Sequence, residues 1–313
     1  MHLVCLTIDT DPDGLAGREV NRQTLVWKAL EQIRPLLDTR ATLRLKWTTL
    51  PITWFVRADG QLRDVLGSPL YLLEKFQSLW TEVQTEGDEI GWHPHLYRQA
   101  CGTDTATLIV DPCEGVEELE RLWDALSGAS IPFQCFRNGE GWHYLETLDA
   151  VERLGFRWDC TALPGVQGSN GHPMNWLGAP NHPYFPDRND IRLSGSARKL
   201  LEIPMNTWPL KAPYDSQPRL RYINPAVHEE LFQTAVDSLK GSLGRGLHIW
   251  SLILHPDEVF AQAGSDRLYA RSAEAVGRNL QSLVTFLQQE GDAVRFTTIS
   301  EAGCIWLTQA GSL

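Results

Sequence analysis

The feature that most limits how this chain can fold is a rhythm in which short β-branched or aromatic runs alternate with segments whose apolar residues recur at helical spacing. Leu3–Ile8, Ile52–Val56, Glu89–Trp92, Ile131–Phe136, Phe156–Cys160, Leu247–Leu254 and Val294–Thr297 read as strands. Between them, helical faces are marked by Val26/Leu30/Ile33/Leu37, Leu72–Val83, Val116–Leu126, Leu145–Leu154, Pro225–Leu239 and Val276–Leu287. Pro35 is expected to end or kink the first helix near its C-terminus, and Gly87, Gly155 and Gly291 to close later ones. Such alternation predicts an α/β fold with a mainly parallel sheet: a distorted (β/α) barrel first, a doubly wound open sheet second. The rhythm breaks from Pro164 to about Asp215, where Gly, Pro and Asn crowd the sequence and only Leu200–Pro204 reads as regular. We therefore expect one domain over residues 1–313 with an irregular insert or lid at about 164–215.

Composition narrows the partners. With 28 Lys+Arg against 39 Asp+Glu over 313 residues, the formal charge is −11 and no basic run stands out. That argues against nucleic acid or an anionic membrane surface, which need clustered cations, and fits a small-molecule or oligosaccharide substrate. No apolar stretch approaches the ~18 residues of a membrane-spanning helix, so membrane insertion is not expected. The N-terminus reads as a strand rather than a secretory leader, which makes a cytoplasmic location the expectation. None of the 6 cysteines lies in a C-x-x-C pair, so they read as reduced, mostly buried thiols. Oligomeric state is left open.

Chemistry-bearing residues gather where strands end. Asp9 and Asp11 follow the first strand, His93 and His95 the third, Arg137 the fourth; Asp159 closes the fifth and His255 follows the Leu247 strand. In a barrel that face builds active sites, and this inventory is that of a mononuclear metal hydrolase: N/O ligands, a base and an acid. On extended backbone, residues two apart point the same way, so Asp9 with Asp11 and His93 with His95 can each share a face. A solvated acidic turn before Gly14 and a hydrogen-bonded histidine pair are the plainer readings of these segments. Local hydrogen bonding is the expectation for His143, a surface loop for His172 and His182, and a structural role for His248. Most of the 12 tryptophans read as core.

The segments Thr7-Ile-Asp9-Thr-Asp11, Glu89-Ile-Gly-Trp-His93-Pro-His95, Phe136-Arg137-Asn-Gly139, Leu154 to Asp159 to Pro164, Leu201-Glu-Ile-Pro204 and Leu252-Ile-Leu-His255-Pro-Asp-Glu258, in this order, resemble the polysaccharide deacetylase family (NodB-homology, carbohydrate esterase family 4). The resemblance spans nearly the whole chain and is to a divergent D-x-D, H-x-H form. It implies a distorted barrel that removes an acetyl group from an N-acetylated amino sugar with a divalent metal, Zn²⁺ by analogy. By the same resemblance Asp9 would be the general base, with Arg137 holding it ionised and oriented. Asp11, His93 and His95 would hold the metal, and His255 would protonate the leaving amine with support from Asp159. Departures from the family's pattern are the D-x-D spacing, Tyr97 where a second histidine four beyond His93 is usual, and no Pro-Tyr pair after Arg137. The same fold would also suit hydrolysis of a non-sugar amide or ester, or glycan binding without catalysis.

Overall fold

The computed structural model describes residues 1–14, 20–44, 50–99, 103–129, 131–196, 198–240, 244, 246–260, 267–289 and 293–310. Its strands are β1 (His2–Asp9), β2 (Ile52–Arg57), β3 (Glu89–His93), β4 (Tyr97–Gln99), β5 (Ala106–Leu108), β6 (Trp158–Asp159), β7 (Leu201–Glu202), β8 (Thr207–Leu210), β9 (Arg219–Tyr222), β10 (His248–Leu254) and β11 (Val294–Phe296).

β1 is the centre of the sheet. It pairs in parallel with β10 along one edge and with β11 and then β2 along the other, and β2 pairs in parallel with β3. Every residue of β1 and β2 is buried, which explains their near-continuous apolar runs: one face packs on helices, and on the other Leu3, Cys5 and Phe55 pack with Cys135, Cys160 and Ile249 of the other strand segments and with Ile299. The sheet continues from β3 through Phe136, which bridges Trp92 on one side and Asp159 on the other, to β6 and β7. The expected strand at Ile131–Phe136 shrinks to this bridge and the bonds around it, because Pro132 has no N–H for a ladder.

Among the described residues no strand ladder joins β7 back to β10. Three hydrogen bonds span the interval instead: Ser251 N–H to Asn206 Oδ1 (2.6 Å), Ile223 N–H to Asn206 O (3.0 Å) and Ile253 N–H to Ile223 O (2.9 Å). The architecture is thus a parallel sheet flanked by helices.

Local signals act much as their chemistry requires. Pro35 does not end a helix; it lies in the first turn of Arg34–Arg44, which follows the short helix Lys28–Glu31. A first-turn N–H has no partner to lose, so proline starts a helix as readily as it stops one. Gly87 and Gly155 take the left-handed conformation after their helices (φ +91° and +97°), whereas Gly291 lies outside the described residues. Asp111 caps Pro112–Leu126 by accepting from Glu114 N–H at 2.9 Å. The stretch 164–215 is mostly turns, but it holds β7 and also β8, which pairs with β9 as a hairpin.

The core takes most of the tryptophans: Trp27, Trp54, Trp80, Trp92, Trp142, Trp176 and Trp208 are essentially fully buried. Each such side chain contributes about 1.5–3 kcal/mol of burial. Trp54 keeps its indole N–H satisfied on Asp88 (2.8 Å), which also meets Arg40. Parallel pairing has one further consequence. The C-terminal ends of β1, β3 and β10, and the Phe136 bridge, lie at the same end of the sheet, and the next residues along the chain supply the charged groups described below.

Candidate active site and metal centre

Asp11, His93 and His95 converge so that one ligand atom from each lies within 4.8 Å of the others. His93 Nε2 and His95 Nε2 are 3.2 Å apart, and Asp11 Oδ1 is 3.0 Å from His95 Nε2. His93 Nδ1 lies 2.9 Å from the Arg137 carbonyl, which can only accept, so this nitrogen carries the proton and Nε2 keeps its lone pair for a cation. Asp11 Oδ1 is buried without a hydrogen-bond donor. Burial opposes ionisation of Asp11, but the adjacent His95 and His93 outweigh it and hold the carboxyl well below its ordinary range. For His93 the order reverses: burial disfavours the imidazolium, and the Asp9 and Asp11 carboxylates raise its pKa nevertheless. A deprotonated carboxylate with two imidazole nitrogens is a donor set that fits a divalent metal.

Local backbone makes this convergence available. Pro94 cannot extend the β3 ladder, and His95 N–H donates instead to Asp59 Oδ2 at 3.2 Å. Gly139 is held against the same loop by its N–H to Pro94 O (2.8 Å), and a Cβ on it would stand 2.2 Å from His95 Cδ2. Glycine at 139 is what lets the His95 ring lie where it does.

Asp9 stands beside the trio, its Oδ2 3.9 Å from His93 Nε2. Its Oδ1 accepts from Arg137 Nη1 at 2.5 Å. Arg137 is itself fixed: Nε donates to Cys160 O (3.0 Å), Nη1 also reaches Thr7 Oγ1 (2.9 Å), and the guanidinium lies 3.9 Å over the Phe55 ring. Asp9 is therefore oriented by a cation that cannot swing away.

His255 faces the cluster from the end of β10, with Nε2 3.6 Å from Asp11 Oδ2. Its other nitrogen, Nδ1, is 3.2 Å from Glu258 Oε1, and its backbone N–H donates to Glu258 Oε2 at 2.8 Å. Burial works against charge on this imidazole, but Glu258, then Asp11 and Asp9, push its pKa up to about 10.

Of the expected site residues, the structure brings Asp9, Asp11, His93, His95, Arg137 and His255 to one cavity of about 240 Å³. Asp159 is elsewhere. Fully buried on β6, it accepts from Thr161 Oγ1 (2.6 Å) and lies 3.3 Å from His143 Nε2, with Glu202 as a further neighbour. The group supporting His255 is Glu258, which the one-turn spacing from His255 places beside it, whereas Asp159 is engaged with Thr161 and His143.

Sequence reasoning passed over Glu258, Arg57 and Glu140. Each carried a signal. Glu258 is three residues after a histidine that starts a helix, the capping-box spacing. Arg57 ends β2, the same strand-end position that singled out the other groups, and its Nη1 is 3.7 Å from Asp11 Oδ1. Glu140 is enclosed by glycines and lines the cavity wall with Asn138, Gly141 and Tyr222. Leu163, Met174, Met205 and Ile253 add an apolar part to the lining, two of them from the insert and three of them close to Gly141.

No family model and no curated protein sequence matches the chain. Among solved structures it is similar to a putative polysaccharide deacetylase from Mycobacterium smegmatis, at 18% identity over 98% of this chain and 91% of that one, with a TM-score of 0.53. A family 4 carbohydrate esterase from Streptomyces lividans overlaps at 13% identity over 90% and 88% of the two chains, with a TM-score of 0.40. The peptidoglycan deacetylase of Bacillus subtilis overlaps at 12% identity over 99% and 94%, also with a TM-score of 0.40. The first likeness is one of fold: helices around a parallel sheet.

Proposed function

We propose that this chain is a metal-dependent hydrolase that removes an acetyl group from an N-acetylated amino sugar, with Asp11, His93 and His95 holding a divalent ion, Zn²⁺ by the family resemblance. The observation that carries the reading is a single cavity in which the ligand trio, a carboxylate fixed by an arginine and an imidazole fixed by a carboxylate face one another. Asp11, His93 and His95 would hold a divalent ion that would supply Lewis acidity towards an acyl carbonyl and water. Asp9 takes the proton from the attacking water, and Arg137 keeps Asp9 pointed at it. His255, held protonated by Glu258, gives its proton to the departing amine, which otherwise leaves poorly.

The experiment is a panel of N-acetylated sugars, acyl esters and cyclic amides, each assayed with wild type and Asp9→Asn. Release of acetate from the sugars by wild type alone, with fold and metal content intact in the variant, supports both substrate class and base. Turnover retained by Asp9→Asn removes Asp9 from that role. Hydrolysis confined to esters or cyclic amides favours a second reading, a non-sugar acyl substrate, for which the wall of Leu163, Met174, Met205 and Ile253 is the supporting observation. Sugar binding that survives chelation without any turnover would leave a glycan-binding fold.

A further inference from the structure

Glu140 occupies a backbone conformation that a non-glycine residue seldom takes, φ +59° and ψ +8°, in the wall of the catalytic cavity. The turn that imposes it is held from several sides. Asn138 N–H donates to Thr161 Oγ1 (2.8 Å), Asn138 Nδ2 to Trp142 O (2.6 Å), and Gly139 N–H to Pro94 O (2.8 Å). Glycine would suit position 140 better than glutamate does, so the side chain is there at a cost to the fold.

What that side chain meets is the His95 ring. Glu140 Oε1 accepts from Tyr97 OH at 2.9 Å and lies 3.8 Å from His95 Nδ1. Tyr97 also lies along the same ring, with centroids 6.2 Å apart and planes 19° apart, while Gly139 closes on its Cδ2 edge. The ring is thus bounded on one face and at two edges, and it presents Nε2 to His93 and Asp11.

The two candidate ligand histidines differ in one respect. His93 Nδ1 has the Arg137 carbonyl at 2.9 Å to fix its proton, which leaves Nε2 able to bind. His95 can bind through Nε2 only with its own proton on Nδ1. Among the described residues no group lies within hydrogen-bond reach of that nitrogen, and the acceptor facing it is Glu140 Oε1. The His95 side chain is 6% exposed and enclosed, whereas that of Glu140 is 38% exposed, so it is the carboxylate that can swing to close the distance. We propose that Glu140, anchored by Tyr97, is a positioning residue for the metal centre: it accepts a hydrogen bond from His95 Nδ1–H and so holds the ring in the tautomer and orientation that offer Nε2 to the ion. This rests on the metal reading above and deepens it. The carboxylate does for His95 what the Arg137 carbonyl does for His93, and the left-handed turn at 140 is the strain that keeps it there.

The test is Zn²⁺ affinity by chelator competition, together with imidazole NMR of the Zn²⁺-loaded protein, for wild type, Glu140→Gly, Glu140→Gln and Tyr97→Phe. Glu140→Gly should bind Zn²⁺ about 10- to 100-fold more weakly, the range for losing the partner of a ligand histidine. Glu140→Gln keeps an acceptor oxygen without the charge and should recover most of that loss. Tyr97→Phe, which frees the carboxylate but leaves it in place, should lose less than Glu140→Gly. In wild type the His95 Nδ1–H should resist exchange with solvent, and in Glu140→Gly it should not. Metal-free Glu140→Gly, relieved of its left-handed glutamate, should melt about 1–2 °C higher than wild type, so that a weaker site cannot be put down to a weaker fold. Unchanged affinity in Glu140→Gly would overturn the proposal. So would equal losses in Glu140→Gly and Glu140→Gln, which would mark a general effect of charge, or an affinity loss accompanied by a lower melting temperature. Wild type that binds no Zn²⁺ at all would remove the metal reading, and this proposal with it.

Discussion

Two carboxylate–imidazole clusters are built near strand ends of this sheet, and they differ in whether they open on a cavity. In the open one, Asp9, Asp11, His93, His95 and His255 surround a cavity, and a buried oxygen of Asp11 and the Nε2 nitrogens of the histidine pair face inward. In the closed one, Asp159, His143, Thr161 and Glu202 contact each other in the interior, and none of them lines that cavity. The same residue types at equivalent ends of strands make a site in one place and a structural polar core in the other. What separates them is access to a cavity, which a residue's position in the sequence does not reveal.

The sharpest way to break this comparison is to neutralise one carboxylate in each cluster. Asp9→Asn should lower turnover about 10³-fold with metal and fold retained, the scale of losing a general base. Asp159→Asn should act on melting temperature and leave turnover within about tenfold of wild type. Loss of turnover in a folded, metal-loaded Asp159→Asn would return Asp159 to the catalytic set.

Next in size is Gly139→Ala. Its added methyl must displace the His95 ring, which predicts metal affinity lower by about 10- to 100-fold, measured by chelator competition, with the fold kept. Unchanged affinity would mean that His95 is not held as a ligand by this contact.

The closed cluster carries a signature in pH. Burial, and then the charge of Asp159, raise Glu202 well above its ordinary 4.5, while Asp159 itself is lowered: burial opposes this, but His143 and its hydrogen bonds prevail. The pair therefore holds one proton that the unfolded chain releases near pH 4.5. Above that pH the folded state binds the extra proton, so stability falls as pH rises towards the folded value of Glu202, by about 1.4 kcal/mol per pH unit. Glu202→Gln keeps the hydrogen-bonding shape without the titration. Its melting temperature should gain on wild type as pH rises above about 5, and parallel curves would contradict the shared proton.

The smallest effect sharpens the open cluster. His255 in chelator-treated protein should titrate near pH 10, as its carboxylate neighbours dictate. Loading a divalent cation beside Asp11 offsets part of that negative charge and should move the value down, seen by imidazole NMR; an upward shift or none would separate His255 from the metal centre.

Much of this was legible in the sequence for identifiable reasons. Short β-branched and aromatic runs located β1, β2, β3 and β10 nearly to the residue because both faces of these strands are buried. The i, i+2 spacing of Asp9/Asp11 and His93/His95 was enough to foresee convergence, since side-chain direction on extended backbone is fixed. The hairpin β8–β9 and the helices Gly60–Leu66 and Ile299–Ala310 were not read, the first because it is half-exposed and partly in the irregular insert, and the helices because they are short or lack a clear stripe. Assigning Asp159 to His255 failed on a different ground: the partner of a strand-end carboxylate is decided by loops such as that carrying His143, whose path no periodicity encodes. His172 reaching Glu140 from the insert is a contact of the same kind.

The central claim is that Asp11, His93 and His95 form a working metal site. Elemental analysis of purified wild type beside His95→Ala tests it most directly. The account predicts near-stoichiometric divalent metal in wild type and its loss in the variant. Wild type that takes up no metal even after reconstitution, or His95→Ala that keeps a full complement, would contradict it.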